Sequence, residues 1–380
     1  VMLIRQDWLD KLHLKAPTTI DEFETVIAAF TNDDPDGDGK KDTYGFTFSG
    51  KDGYNTGWVG DPIMIFSAFT GKNIVGQWNM DNGKLTYGSV APGNKEALAK
   101  LRDWYSKGYV NKELAAQSAW DSLADFTEGK AGIVVGDPWM YDAVKDVEKN
   151  VKGAKIAAAP TIRGINGDRT YQTKQYSDGL FMFNKDFDNM EAFFLYYDKL
   201  YDAAFGTGDF KYGYAQGYDY DIVNGQVTFD PTKFNKPLEA IQGVGKMAFT
   251  KNTPSVDGPG KSFYDLAHGA KPDTGVLLRS DAASPTTKAG FVISYEERES
   301  LLPPAFNGPP TKTMQSNWEQ LSTMEKEIYT KIIYGKEPVD AFDDFVKQWN
   351  AKGGEQITQE VNDWYSNASK VDVMSKMGLN

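Results

Sequence analysis

Apolar residues recur at helical spacing near the start of the chain. In PTTIDEFETVIAAF, Ile20, Phe23 and Ile27 are spaced so that they fall on one face of a helix. Thr19 followed by Glu22 forms the pattern of a capping box, which marks a helix start. Together these signals predict a helix of about three turns that begins after Thr19 and leads into a polar loop.

A second pattern joins a short apolar strand to a helix start. In KAGIVVGDPWMYDAV, residues 133–135 predict a buried strand, Asp137 an N-cap and Pro138 the first helical residue. We therefore expect Trp139 at the carboxyl end of a strand and in the opening turn of a helix. Open α/β sheets bind ligands at that position.

Further helical patterns alternate with short apolar runs along the chain. Residues 94–108 predict a helix that ends at Gly108, and three helices are predicted in the last part, over residues 318–366. Helices interleaved with strands are typical of an α/β fold. Trp104, Trp349 and Trp364 occur at helical spacing with other apolar residues and are predicted to be core residues.

Composition narrows the classes of partner. The chain has 380 residues and a formal net charge of -12, so attraction to nucleic acid or anionic lipid is not expected. It has no cysteine, which excludes disulfides, thiolate metal sites and cysteine nucleophiles. No apolar run reaches the roughly 20 residues that span a bilayer.

The highest density of charge lies in NDDPDGDGKKDTYG, residues 32–45. Without a bound cation, its carboxylates would repel one another. Counted from Asp34, the loop follows the EF-hand pattern, in which alternate side chains and one backbone carbonyl face a Ca²⁺ ion. The bidentate Glu of position 12 is replaced by Gly45. A solvated acidic turn is the alternative; the matched positions favour structural calcium. The predicted metal residues are Asp34, Asp36, Asp38, Lys40 (through its carbonyl), Asp42 and Thr43.

Several segments resemble one protein family. LIRQDWLDKLHLKAPTTIDEFETVIAAFTNDDPDGDGKKDTYGF, FTEGKAGIVVGDPWM, SDGLFMFNK and KIIYGKEPVDAFDDFVKQWNAKGGEQITQEVNDWY are similar to family 1 extracellular solute-binding proteins. The resemblance is to the lipoprotein branch that carries an EF-hand-like calcium loop, and it covers nearly the whole chain.

The resemblance implies a two-lobe, type II periplasmic-binding-protein-like α/β fold. Residues 1–175 would form the first part of the second, C-terminal-type lobe, with the calcium loop at 34–43. Residues 176–300 would belong to the first lobe, and residues 301–380 would return to the second lobe as helices. In the family a further segment precedes the helix at IRQDWLDKL. The first lobe is therefore expected to be incomplete, with exposed apolar surface.

The resemblance also implies a function. We expect extracytoplasmic capture of an oligosaccharide or related carbohydrate for an ABC transporter permease, by a monomer that closes between its lobes and catalyses no reaction. The protein would be a cell-surface lipoprotein, or periplasmic, and would meet the membrane only through a lipid anchor absent from this sequence. The alternative is a carbohydrate-active enzyme or a calcium-dependent carbohydrate-binding surface module.

Candidate ligand residues follow from the same resemblance. Trp139 matches a family tryptophan that stacks on a sugar ring, because an indole fits the apolar face of a pyranose. Acidic and aromatic neighbours would accept or contact sugar hydroxyls, although Asp137 could simply cap its helix and the tryptophans could be core residues. The predicted ligand residues are Trp139, Trp318, Trp58, Asp178, Asp137 and Tyr141.

Other chemistries find little support in the sequence. The two histidines, His13 and His268, lack metal-spaced or triad partners. GPGKS, residues 258–262, lacks the earlier glycine of a phosphate loop, since Ser255 stands there. A glycosidase would need a pair of carboxylates, and the 53 acidic residues offer many pairs by chance.

Overall fold

The structure is a computed structural model that describes residues 1–172, 182–205, 210–213, 215–235, 237 and 260–368. The chain divides into two compact units, one made of Val1–Asp178 with Glu299–Asn380 and the other of Gly179–Arg298. Helix and strand are both present in each unit. The assignment of residues 1–175, 176–300 and 301–380 to lobes remains a prediction.

The first unit contains most of the described elements, which run in this order: β1 (Met2–Arg5), α1 (Gln6–Lys11), α2 (Ile20–Asn32), β2 (Tyr44–Thr47), α3 (Ile63–Thr70), β3 (Trp78–Asp81), β4 (Lys84–Tyr87), α4 (Asn94–Lys107), α5 (Ala119–Thr127), β5 (Ala131–Val135), α6 (Tyr141–Val144), α7 (Val147–Asn150), β6 (Ile156–Ala159) and β7 (Tyr171–Gln172). After the second unit, the chain returns to the first one with β10 (Leu301–Leu302), α12 (Lys312–Ile333), α13 (Ala341–Trp349) and α14 (Glu355–Ala368).

A four-stranded sheet organises the first unit in the order β2-β5-β1-β6. β2 and β5 are parallel, and β1 is antiparallel to both β5 and β6. Side chains alternate between the faces of a strand. Met2 and Ile4 accordingly enter one hydrophobic cluster with α2, α4 and the closing helices, whereas Leu3 enters another with α5, α6 and α7. Helices therefore cover both faces of this mixed sheet.

Two of the helix boundaries predicted from the sequence are present, whereas the first of the closing helices begins at Lys312, before the predicted residue 318. The Thr19 hydroxyl accepts the Glu22 amide at 3.3 Å and caps α2, while the Glu22 carboxylate bonds Thr18. α4 ends at Gly108, whose φ of 76° is the left-handed conformation that glycine adopts without strain. β5 includes the predicted strand at residues 133–135.

The three closing helices are also confirmed, and they enclose a group of aromatic rings. Trp349, which is 1% exposed, stacks on Tyr87 with ring centroids 5.2 Å apart and an interplanar angle of 8°. Trp78 lies 5.4 Å from Tyr87. We call Trp78, Tyr87 and Trp349 the buried aromatic group. Trp104 is fully buried elsewhere in the same core, as predicted, whereas Trp364 is half-buried, edge-on to Phe306.

A buried carboxylate supports the aromatic group from α12. Glu325 accepts hydrogen bonds from the Tyr87 hydroxyl at 2.9 Å and the Ser89 hydroxyl at 2.8 Å. Burial raises the pKa of Glu325 to about 7, against the lowering effect of the two hydroxyl donors. The side chain thus changes charge near neutral pH inside the core.

The second unit contains α8 (Met190–Phe205), the hairpin of β8 (Asp221–Val223) and β9 (Gln226–Thr228), and then α9 (Gly260–Ala267), α10 (Gly275–Ala282) and α11 (Pro285–Glu296). α9 and α11 pack through Phe263 and Phe291, whose rings stack 4.5 Å apart. Several large apolar side chains are exposed here, among them Phe194 and Leu195 on α8.

None of the helices in the part of the chain that the structure describes has the length and apolar character required to cross a membrane.

Candidate functional site

The turn that follows β5 orients Trp139. Asp137 has an extended backbone, and Pro138–Met140 form one turn of 3₁₀ helix. The Asp137 side chain does not cap this turn; its carboxylate accepts the Trp139 indole N–H at 3.0 Å. This bond fixes the half-buried indole at the carboxyl end of β5, where the strand pattern predicted it.

The segment carrying Trp58 is joined to the same turn. Val59 and Gly136 form an antiparallel bridge, and the Trp58 carbonyl accepts the Asp137 amide at 2.9 Å. The rings of Trp58 and Trp139 have centroids 6.3 Å apart and an interplanar angle of 42°. Two predicted ligand tryptophans from distant parts of the sequence therefore lie side by side.

A third tryptophan, which the sequence analysis did not select, completes the group. Trp120 lies in the first turn of α5 and is 53% exposed, with its ring 5.3 Å from that of Trp58 at 86°. Ser118 and Asp121 form a full capping box that starts α5, and Asp52 accepts the Ala119 amide at 2.7 Å. We call Trp58, Trp120 and Trp139 the tryptophan cluster.

Asp61 holds the Trp58 segment from inside the protein. Its carboxylate oxygens accept the amides of Gly57 and Ile63, each at 2.9 Å. Burial raises the pKa of Asp61 to about 6, although the backbone donors favour its charged form. Asp61 therefore braces both ends of the segment that presents Trp58.

The other predicted ligand residues have different surroundings. Tyr141 is 8% exposed, and its hydroxyl donates to Glu148 at 2.8 Å, on the core side of the turn. Trp318 lies on α12, edge-on to Tyr87 at 5.2 Å, and packs against the buried aromatic group instead of the tryptophan cluster. Asp178 lies outside the described residues.

The tryptophan cluster suits noncovalent binding. Three indoles at mutual angles offer apolar faces in more than one plane, and Asp137 supplies a carboxylate beside them. The indole faces suit the apolar C–H face of a ligand, and the carboxylate beside them can accept hydrogen bonds from hydroxyl groups around its edge.

The acidic loop between α2 and β2 brings three carboxylates together. Oxygens of Asp34, Asp36 and Asp38 all lie within 4.8 Å of one another. The amides of Gly37 and Gly39 turn inward to the Asp34 carboxylate at 3.1 and 3.3 Å. Partial burial raises the pKa of Asp36, and the nearby acids act in the same direction. Such a set of hard oxygen atoms fits Ca²⁺.

The remaining predicted metal residues differ in their contacts. The Lys40 ammonium pairs with Asp38 at 2.5 Å, and Asp42 is exposed, close enough for its charge to raise the pKa of Asp36. Thr43 is buried and donates to the Phe30 carbonyl at 2.9 Å.

The missing position-12 Glu has a steric explanation. Gly45 lies in β2 against α2, where a Cβ atom would come within 2.3 Å of the Ile27 Cβ atom. No side chain fits at this position. The loop therefore enters the sheet directly, without the acidic residue that ends a true EF-hand.

An open groove of about 790 Å³ lies elsewhere, between α12 and α13. Its lining mixes acids and bases, such as Glu327, Lys331 and Asp344, and contains none of the predicted site residues. These are the side chains of a solvated helix surface, so the tryptophan cluster is the better candidate site.

Comparisons with known proteins find relatives that are named as binding proteins and as a lipoprotein. No family model matches the sequence. Two relatives come from Bacillus subtilis: the polygalacturonan/rhamnogalacturonan-binding protein YtcQ and the lipoprotein LipO. Each is 26% identical to this chain over 97% of its residues, and the matches span 68% of YtcQ and 69% of LipO. The fructooligosaccharide ABC transporter substrate-binding protein FusA of Streptococcus pneumoniae is 34% identical over 44% of this chain and 31% of its own length.

Solved structures have the same fold. The alginate-binding protein AlgQ2, solved without calcium ion, matches with a TM-score of 0.59 and 21% identity, over 96% of this chain and 71% of that protein. An EF-hand mutant of FusA in complex with fructo-nystose matches with a TM-score of 0.56 and 18% identity, over 97% and 72%. The chain therefore has the α/β fold of solute-binding proteins, and its relatives and structural neighbours include binding proteins of ABC transporters.

Proposed function

We propose that this protein captures an oligosaccharide outside the cytoplasm and delivers it to an ABC importer, without catalysing a reaction. The observation that carries the proposal is the tryptophan cluster, which presents three indoles at the carboxyl end of β5. Stacking on aromatic faces is a binding device that requires no nucleophile or proton donor.

The relatives support the proposal through what they are named for. YtcQ, FusA and AlgQ2 bind polygalacturonan or rhamnogalacturonan, fructooligosaccharide and alginate, respectively. We extend to this chain a carbohydrate ligand and a permease partner. A monomer held at the cell surface by a lipid anchor is the arrangement we propose, and LipO, a lipoprotein, is a relative of the same similarity as YtcQ.

Calorimetry with an oligosaccharide panel tests this function. Replacing Trp139 by Ala removes one stacking face, and loss of a central aromatic anchor is expected to weaken binding about tenfold or more. Trp318→Ala is the matched comparison, because Trp318 is a half-buried tryptophan packed on a different aromatic group. Equal loss of affinity in both variants would contradict the assignment of the site to the tryptophan cluster.

The enzyme alternative is tested in the same samples. A carbohydrate-active enzyme would shorten the oligosaccharide, and chromatography after prolonged incubation would detect the products. A binding protein returns the ligand intact. Product formation that survives purification and disappears in Trp139→Ala would overturn the proposal.

We also propose that the acidic loop binds a structural Ca²⁺ ion. Asp34, Asp36 and Asp38, whose carboxylates lie together, would supply side-chain oxygens. Lys40 would supply a carbonyl, and Asp42, whose charge acts on Asp36, would add negative charge. Ca²⁺ at about 100 times its Kd should stabilise the folded protein by about 2.7 kcal/mol. A Tm that rises with Ca²⁺ and falls with chelator is expected, and Asp36→Asn should reduce the rise. Asp344→Asn, an exposed control on α13, should leave it intact.

A further inference from the structure

Carboxylates accompany every member of the tryptophan cluster. Asp137 bonds the Trp139 indole at 3.0 Å, and Asp61 bonds the backbone on both sides of the Trp58 segment. Asp121 follows Trp120 in the chain, and Asp52 bonds the amide of the residue that precedes it. Asp137 thus contacts a ring of the cluster, and three further carboxylates bond to, or adjoin in the chain, the residues that carry the other two rings.

The contacts of the described residues bring fewer cations than carboxylates to the tryptophan cluster. The charge of Lys51 acts on Asp121, whose pKa is lowered mainly by hydrogen bonds from Ser118. Among the described groups beside the tryptophan cluster, carboxylates therefore outnumber cations.

We propose that the ligand is a neutral oligosaccharide and not a uronic-acid oligosaccharide. This inference rests on the oligosaccharide-binding function proposed above. A uronate in contact with the rings would bring its carboxylate close to Asp137, and like charges at close range repel. The hydroxyls of a neutral sugar are instead attracted to Asp137, because they donate hydrogen bonds to its carboxylate.

The proposal separates this chain from two of the proteins it resembles. YtcQ and AlgQ2 are named for polygalacturonan and alginate, whose sugars carry carboxylates, whereas FusA is named for a neutral fructooligosaccharide. Overall similarity to these proteins does not indicate whether the ligand is acidic or neutral. The carboxylates beside the rings favour a neutral ligand.

A matched pair of ligands isolates the effect of charge. Tetragalacturonate and its fully methyl-esterified form have the same backbone, and calorimetry with the full chain compares them, together with neutral fructo-, malto- and xylo-oligosaccharides of equal length. We expect the ester to bind about three- to tenfold more tightly than the acid. Raising ionic strength from about 0.01 M to about 0.15 M should strengthen binding of the acid by screening the repulsion.

Asp137→Asn tests the assigned cause, since Asn keeps an oxygen for the Trp139 indole while removing the charge. The ratio of ester to acid affinity should move towards one in this variant and stay unchanged in Asp344→Asn, which makes the same charge change on α13. Tighter binding of the acid than of the ester by the unsubstituted protein would overturn the inference and leave the oligosaccharide function standing. Absence of binding to every sugar in the panel would overturn both.

Discussion

The first unit contains two groups of aromatic rings, which differ in burial and in the angles between their rings. The sequence alone does not distinguish them. In the buried aromatic group, Trp349 and Tyr87 are nearly parallel and almost fully buried. In the tryptophan cluster, Trp58 and Trp120 meet nearly at right angles, and Trp120 is 53% exposed. Rings that maximise contact with one another stabilise the fold, whereas rings that leave faces open remain available to a ligand.

A carboxylate supports each group, but through different bonds. Glu325 accepts the hydroxyl of Tyr87, which belongs to its group, whereas Asp61 accepts the backbone amides of Gly57 and Ile63 at the two ends of the Trp58 segment. Burial raises the pKa of both side chains. The four substitutions below test whether one group serves stability and the other serves binding.

The largest effect is expected for Trp349→Ala. Removing a fully buried indole leaves a cavity, and the free energy of unfolding should fall by about 3 to 5 kcal/mol. Urea unfolding followed by circular dichroism measures this change. Trp349→Phe, which retains a ring against Tyr87, is the control and should recover most of the loss. A small effect of Trp349→Ala would show that the group does not hold the core.

Glu325→Gln should change the pH dependence of stability. The folded pKa of about 7 lies above the ordinary value of 4.5, so the folded state binds the proton more tightly and this group's contribution falls as pH rises from about 4.5 to about 7. Between pH 5 and pH 8 the loss should be about 2 to 3 kcal/mol. Gln removes this slope, whereas Glu327→Gln, an exposed control on the same helix, should retain it.

Asp61→Ala should lower both the stability of the protein and its affinity for sugar, because Asp61 holds the segment that presents Trp58. It leaves the Gly57 and Ile63 amides without their acceptor, at a cost of about 2 kcal/mol in unfolding free energy. Sugar affinity should fall as well, because the Trp58 segment loses its brace. Asp142→Ala, an exposed control on α6, should change neither quantity measurably. Unchanged sugar affinity in Asp61→Ala would remove Trp58 from the proposed site.

The smallest effect on stability is expected for Trp120→Ala. Because this side chain is 53% exposed, the unfolding free energy should change by less than about 1 kcal/mol. Oligosaccharide affinity, measured by calorimetry, should nevertheless fall several-fold, and Trp120→Phe should restore part of it. Destabilisation as large as that of Trp349→Ala would erase the distinction between the two aromatic groups.

Much of the fold followed from local patterns. The cap at Thr19, the end of α4 at Gly108 and the strand before Trp139 each depend on neighbouring residues, so the sequence was sufficient to predict them. The role of the Asp137 side chain was not predictable in this way. A cap and an indole acceptor are both compatible with its position, and only the rotamer of Trp139 decides between them.

The composition of the tryptophan cluster depended on contacts distant in sequence. Trp58 and Trp139 meet through the bridge between Val59 and Gly136, which no local pattern encodes. Trp120 did leave a signal: it follows the N-cap Ser118 but falls outside the inward face of α5, where Leu123 and Phe126 lie. A large apolar residue on the outward face of a helix start was the clue.

The near-perpendicular contact of Trp58 and Trp120 has an optical consequence. Electronic transitions of two indoles that are close together and not coplanar couple to each other, and the coupling depends on their relative angle. A sugar that wedges against one ring would change that angle. Near-ultraviolet circular dichroism of the unlabelled protein should therefore report occupancy. Trp120→Ala should remove the contribution of the Trp58–Trp120 pair and leave that of the Trp58–Trp139 pair.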